Sequence, residues 1–155
     1  MSRRDQIQLS PSEQRELIDG ERIVIVASAG PRGFPHLMPL WYVPREGEVW
    51  IYTYAKSQKV RNLERDPRAT LLIETGHEYA ELRGLMVEAE AEIQRDIESV
   101  FPLAEELTLR YADGIDSLEG EAREALKAQA AKRVAIRFGA LHTATWDHRK
   151  LGGGY

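Results

Sequence analysis

Lys56, Ser57, Lys59, Arg61 and Asn62 place three cations, a hydroxyl and an amide in one short stretch of the chain. The residues before them alternate, with Val49, Ile51 and Thr53 set against Trp50, Tyr52 and Tyr54, which is the period of a strand. Val60 and Leu63 then share one face of a helix over residues 57–65. Ser57 stands where an N-cap belongs, and a serine hydroxyl there can accept from the free N–H groups of the first turn. Asp66-Pro67 ends the helix, because the residue before proline avoids the helical region. The positive end of a helix dipole disfavours cations, yet Lys56, Lys59 and Arg61 crowd it. Free N–H donors, a hydroxyl and surplus cations together suit an anion, above all a phosphate. The competing assignment is a solvated basic helix with a serine cap.

Other residues with chemical potential are aromatic. Trp41, Trp50, Tyr52 and Tyr54 fall on neighbouring predicted strands and Trp146 near the far end of the chain, as the walls of a planar-ligand site would. Strand aromatics more often simply pack in a core. Pro39 interrupts a strand pattern and so marks an edge or a bulge, where free backbone groups could also meet a planar ligand. Hydrolytic and metal chemistry find no support. There is no cysteine and no Gly-x-Ser-x-Gly elbow. His36, His77, His142 and His148 have no ligand-like spacing, and no metal is expected. No Gly-x-Gly-x-x-Gly motif follows a strand.

The 155 residues make one domain's worth of chain, 43% hydrophobic and 30% charged. A net charge of −4 argues against a nucleic-acid partner, and local basic clusters at 56–61 and 148–150 suit a small anionic ligand better. No stretch is long and apolar enough for a membrane span, and no signal peptide is visible. With cysteine absent, a cytoplasmic protein is the expectation.

The elements that must carry these residues follow in order. Ser10-Pro11-Ser12-Glu13 reads as a capped helix start, with Leu17 and Ile18 facing inward and Gly20 at the end. Residues 22–29 form a strand apolar enough to be buried on both faces, and 35–43 a second, ending at Pro44-Arg45-Glu46-Gly47. A third strand over 48–54 leads into the basic helix. Residues 68–74 make a fourth and 80–93 a long fifth, bent near Gly84. The period turns helical over 96–111 and again over 118–131, with Pro102 disturbing the first of these helices. It returns to β over 133–138 and 142–146. The Gly152-Gly153-Gly154 tail is expected to be mobile. This pattern predicts a mainly β (α+β) fold, with six or seven antiparallel strands and a helical insertion that could cover the open side of a small barrel.

The run Tyr52-Thr53-x-x-Lys56-Ser57-x-Lys59-x-x-Asn62-Leu63-x-Arg65-Asp66-Pro67-Arg68 resembles the signature of the split-β-barrel flavin and deazaflavin oxidoreductases, the pyridoxamine 5′-phosphate oxidase-like superfamily. Leu37-Met38-Pro39-Leu40-Trp41-Tyr42, Leu82-Arg83-Gly84 and Trp146-Asp147-His148-Arg149-Lys150-Leu151-Gly152 extend the resemblance across nearly the whole chain, as one domain over residues 1–155. The last of these runs points to the branch that uses coenzyme F420.

The resemblance implies an FMN-binding-type split barrel, acting as a homodimer with the cofactor at the interface. It assigns Pro39, Leu40 and Trp41 to the cofactor ring. Thr53, Lys56, Ser57, Lys59, Arg61 and Asn62 go to its phosphate and tail. Trp146, His148, Arg149 and Lys150 are expected near the cofactor, from the second subunit, although Arg149-Lys150 could equally be a solvated charge pair. The implied activity is hydride transfer between F420 and a small organic substrate. The alternatives are an FMN-dependent pyridoxamine phosphate oxidase-like enzyme, or a protein that binds F420, FMN or haem without turnover. A proton donor could be Tyr54, His36 or solvent.

Overall fold

The computed structural model describes residues 2–152, so Gly153 and Gly154 of the tail expected to be mobile lie outside the described residues. Seven antiparallel strands form one curled sheet: β1 (Val24–Ala29), β2 (Pro35–Leu40), β3 (Val43–Arg45), β4 (Glu48–Tyr54), β5 (Arg68–Thr75), β6 (Arg83–Gln94) and β7 (Arg133–Asp147). Their order is β2-β1-β5-β6-β7-β4-β3, so the edge strands β2 and β3 are joined only through Trp41 and Tyr42. That short link draws the two edges together and rolls the sheet into a half-barrel. Five helices flank it: α1 (Arg3–Gln6), α2 (Pro11–Gly20), α3 (Gln58–Arg65), α4 (Ile97–Tyr111) and α5 (Gly120–Ala130). Among the described residues no helix is long and apolar enough to cross a membrane.

Alternation along the strands creates two cores. Val24, Val26, Ile51, Leu71, Ile73, Leu85, Ile136 and Phe138 fill the concave side, with Leu17 and Ile18 of α2 and Val60 and Leu63 of α3. Val43 and Ala135 project the other way and meet Val100, Phe101, Leu103 and Ala104 of α4, with Trp50 and Tyr52 packed alongside. The helical insertion therefore covers the outer face of β3, β4 and β7.

The local signals explain most element ends. Ser10 caps α2 through a complete capping box, accepting from the Glu13 amide and receiving the Glu13 carboxylate on its own N–H. Glu46 and Gly47 both have positive φ, 53° and 81°, which makes the tight turn between β3 and β4 follow the right-handed strand twist.

Four expectations need correction. The strand foreseen over 35–43 is two, β2 and β3, because Trp41 and Tyr42 leave one edge and Tyr42 turns fully into the core. The strands foreseen over 133–138 and 142–146 are one, β7, where Leu141 is an extra residue in a bulge opposite Glu88 and Ala89. Pro102 leaves α4 unbroken. Finally, β1 is buried on one face only: Val24 and Val26 are inside, whereas Ile25 is half-buried and Ile23 is 45% exposed. Pro39 does lie on an edge strand, paired with Ile25.

Candidate functional site

The basic stretch forms the turn and helix at the end of β4. Tyr54 and Ser57 close the turn, with the Ser57 N–H donating to the Tyr54 carbonyl at 3.1 Å. The Ala55 N–H donates to the Lys132 carbonyl at 3.1 Å, so this turn abuts the start of β7. Ser57 has the extended backbone of an N-cap, φ −70° and ψ 156°, but its hydroxyl caps nothing. The Oγ atom is buried and has no hydrogen-bond partner. The first-turn N–H groups of α3 are consequently left without a side-chain acceptor. This corrects the expected self-capped helix. Uncapped N–H groups and an unpartnered hydroxyl at one helix start are donors that suit an external acceptor.

Lys59 comes off the first turn of α3 and donates from Nζ to Thr53 Oγ1 at 3.1 Å. Burial lowers the pKa of its ammonium, and the positive charge of Arg133 lowers it further. Arg133 is a site residue that the sequence pattern had not singled out. It opens β7 opposite Tyr54 in the ladder, and its guanidinium lies 4.0 Å from the Tyr54 ring centre and 4.7 Å from that of Tyr52. Its Nε and the Tyr52 hydroxyl are both buried without a hydrogen-bond partner. Burial raises the Tyr52 pKa, an effect the nearby Arg133 charge opposes. Among the described residues no carboxylate pairs with Lys56, Lys59, Arg61, Lys132 or Arg133. Mutually repelling cations without a counter-ion, in a chain of net charge −4, are an uncompensated electrostatic cost in the free protein.

The remaining candidates divide. Lys56 and Arg61 are exposed beside this cluster. Asn62 is fully buried, and its amide is already engaged, donating to Ser28 Oγ at 3.1 Å and accepting from Gln58 Nε2 at 2.8 Å. Its observed contacts fasten α3 to β1. Pro39 is exposed and Leu40 half-buried on the edge strand β2. Trp41, 53% exposed, stacks on Tyr111 of α4 with ring centres 4.5 Å apart, so one of its faces is occupied. The Tyr111 hydroxyl also accepts from the Tyr42 N–H at 3.1 Å and lies 2.8 Å from the Arg22 carbonyl, pinning the β2–β3 link to the insertion.

Trp146, His148, Arg149 and Lys150 lie at the opposite end of β7 from Arg133. Trp146 covers Gly84, where an added Cβ would fall 2.4 Å from the indole, so only glycine fits beneath it. The fully buried Asp147 accepts from Arg149 at 2.6 and 2.8 Å and pairs with Arg83 at 3.5 Å. Lys150 donates to the Gln8 carbonyl and to Glu13, each at 2.7 Å, and holds the Glu13 pKa down to about 2. His148 Nδ1 lies 2.8 Å from the Tyr79 carbonyl. Within one chain, Lys150 and the Asp147 N–H tie the end of β7 to the N-terminal segment, Trp146 and His148 contact Gly84 and the Tyr79–Leu82 turn, and none of these residues joins the cationic cluster.

A family model described as pyridoxamine 5′-phosphate oxidase matches residues 10–147. The chain belongs to the pyridoxamine 5′-phosphate oxidase family. Within that family it is similar to a conserved hypothetical protein of Mycobacterium tuberculosis, at 37% identity over 100% of this chain and 95% of that one, with a TM-score of 0.89. A protein described as an F420 reductase shares the fold at 22% identity, covering 86% of this chain and 98% of its own, with a TM-score of 0.64. The haem storage protein HutZ of Vibrio cholerae shares it at 16% identity over 88% and 93% of the two chains, with a TM-score of 0.65. No curated protein sequence matches the chain.

Proposed function

We propose that this protein is an oxidoreductase that binds a phosphate-bearing flavin-type cofactor, F420 in preference to FMN, and transfers hydride between it and a small organic substrate. One observation carries this: the buried Ser57 hydroxyl without a partner, at an uncapped helix start, beside Lys59 and Arg133 with no acid to neutralise them. The α3 N–H groups, Ser57 Oγ and Lys59 Nζ bind the phosphate, and Lys56 and Arg61 add field from the exposed side. F420 carries an acidic tail beyond its phosphate and FMN does not, so the surplus of cations favours F420. When bound, the cofactor itself supplies the hydride chemistry, and no side chain is needed as a nucleophile. The chain contributes orientation, a positive field and exclusion of water. Family membership and the shared fold of a protein described as an F420 reductase support the reading.

The test is a titration of the purified protein with F420, FMN and haemin, followed by visible absorption. F420 should bind about ten-fold tighter than FMN, a difference of about 1.4 kcal/mol. Binding of haemin alone would overturn the assignment.

A homodimer belongs to the same proposal. On the convex face the register aligns Pro39, Ile25, Leu72, Met86 and Ala144 in one row across five strands, beside the exposed Leu37. Such an apolar face suits a second copy, and an obligate interface buries upwards of about 2,000 Å². Sedimentation should give a two-chain mass at micromolar concentration, and Met86→Glu should shift it to one chain. A stable wild-type monomer would refute this.

A further inference from the structure

The two half-buried cations of the site do not stand on the same side of the sheet. Thr53, which receives Lys59, is buried on the concave side in line with Val49 and Ile51. Tyr52 and Tyr54 point the other way, and Arg133 lies over their rings. Lys59 and Arg133 therefore flank the end of β4 from its two faces, with the Tyr54–Ser57 turn between them. A single phosphate seated on the α3 start and Lys59 does not account for Arg133.

The guanidinium lies within cation–π distance of both tyrosine rings, a contact that engages a guanidinium's face and leaves its edge as the part that can donate. Arg133 Nε is buried and unused, and the side chain makes no ion pair among the described residues. A planar fork with a free edge matches a carboxylate, which it can bind through two parallel hydrogen bonds. Lys132 and Arg61, both exposed and without an acid partner, add positive field on either side of the turn.

We propose that Arg133 binds a second anionic group of the cofactor, a carboxylate on the chain beyond the phosphate, and thereby sets the preference for a ligand with two separated anions. This rests on the cofactor assignment made above. Arg133 is then a specificity residue, whereas Lys59 with the helix start serves any ligand that bears the phosphate.

The experiment compares wild type, Arg133→Met and Lys59→Ala, each titrated with F420, FMN and the dephosphorylated deazaflavin, with melting temperatures taken without ligand. Arg133→Met should weaken F420 binding about ten-fold or more, with FMN and the dephosphorylated form changed less than two-fold. Lys59→Ala should weaken F420 and FMN alike. Equal weakening of FMN and F420 by Arg133→Met would mean that Arg133 shares the phosphate, and would overturn the proposal. So would unchanged F420 binding. Equal weakening of all three ligands, with a lowered melting temperature, would make Arg133 a structural clamp for Tyr52 and Tyr54, also overturning it. Arg133→Lys separates charge from shape, since a lysine cannot form the fork and should fail to restore the F420 preference. Failure of wild type to bind either phosphate-bearing cofactor would instead remove the cofactor assignment and this inference with it.

Discussion

Lys59→Ala is expected to weaken binding of F420 and FMN by about ten- to a hundred-fold while leaving the unliganded fold intact. The range is that of a charge-assisted hydrogen bond, about 1.5–3 kcal/mol. The fold should be spared because Lys59 contributes little to it. Its ammonium donates one bond to Thr53, and against that stand its partial burial, its repulsion from Arg133 and its place at the positive end of α3. Those costs roughly offset the bond, so the melting temperature without ligand should move by no more than about 2 °C. Isothermal titration and thermal unfolding on the same preparations measure both quantities. Unchanged affinity would reduce Lys59 to a solvated helix lysine, and a large fall in melting temperature would make it structural.

The second large effect lies at the other end of β7. Asp147→Asn should lower stability by about 3 kcal/mol, or roughly 10 °C in melting temperature. Asp147 is 1% exposed, and its carboxylate serves Arg149 and Arg83 together. Arg83 is itself largely buried, and its remaining ion pair, to Glu16, spans 3.5 Å. Removing the carboxylate therefore leaves a guanidinium only 13% exposed with that long pair and one bond to the Glu13 carbonyl at 3.2 Å. The hydrogen bonds from Arg149 hold the Asp147 pKa below its ordinary value. A carboxyl with a depressed folded-state pKa stabilises fully above the unfolded value, about 3.9, and loses that contribution as pH falls through the folded value. The gap between wild type and Asp147→Asn should thus be widest at neutral pH and close in acid below about pH 4. A gap under about 1 kcal/mol at pH 7, or one that persists in acid, would show the ion pair to be energetically idle.

Much of this architecture was legible because local chemistry and tertiary demand agreed. Ser10, Pro11 and Glu13 fix the start of α2 without outside help, and Val49 to Tyr54 alternate as a strand that does separate two cores. Legibility failed where the decisive partner is remote. Tyr42 departs from the foreseen strand, since its ring is fully buried in the core and its hydroxyl donates to the Ile18 carbonyl of α2 at 2.6 Å. The open face of β1 reads as doubly buried because Ile23 and Ile25 look, in sequence, no different from core residues. The basic helix start was visible, but the idle Ser57 hydroxyl was not, since composition cannot tell a satisfied cap from an orphaned one. Arg133 escaped notice for a topological reason. Sequence neighbours are the natural first guess for strand partners, and β4 pairs with its neighbour β3 on one edge but with β7, across the whole helical insertion, on the other.

That pairing has a kinetic corollary. Val49 meets Phe138 and Thr53 meets Val134, so the ladder that carries the cationic cluster joins distant parts of the chain. Loop-closure entropy must be met before such contacts return anything, and chains dominated by them fold slowly. The α4–α5 hairpin eases this search: two helices in contact through Arg123 and Glu105 form a compact unit that brings Gln94 and Ala135 within reach of one another. The insertion is therefore expected to speed closure of the β6–β7 ladder as well as to cover the sheet, with the β4–β7 ladder forming late in folding.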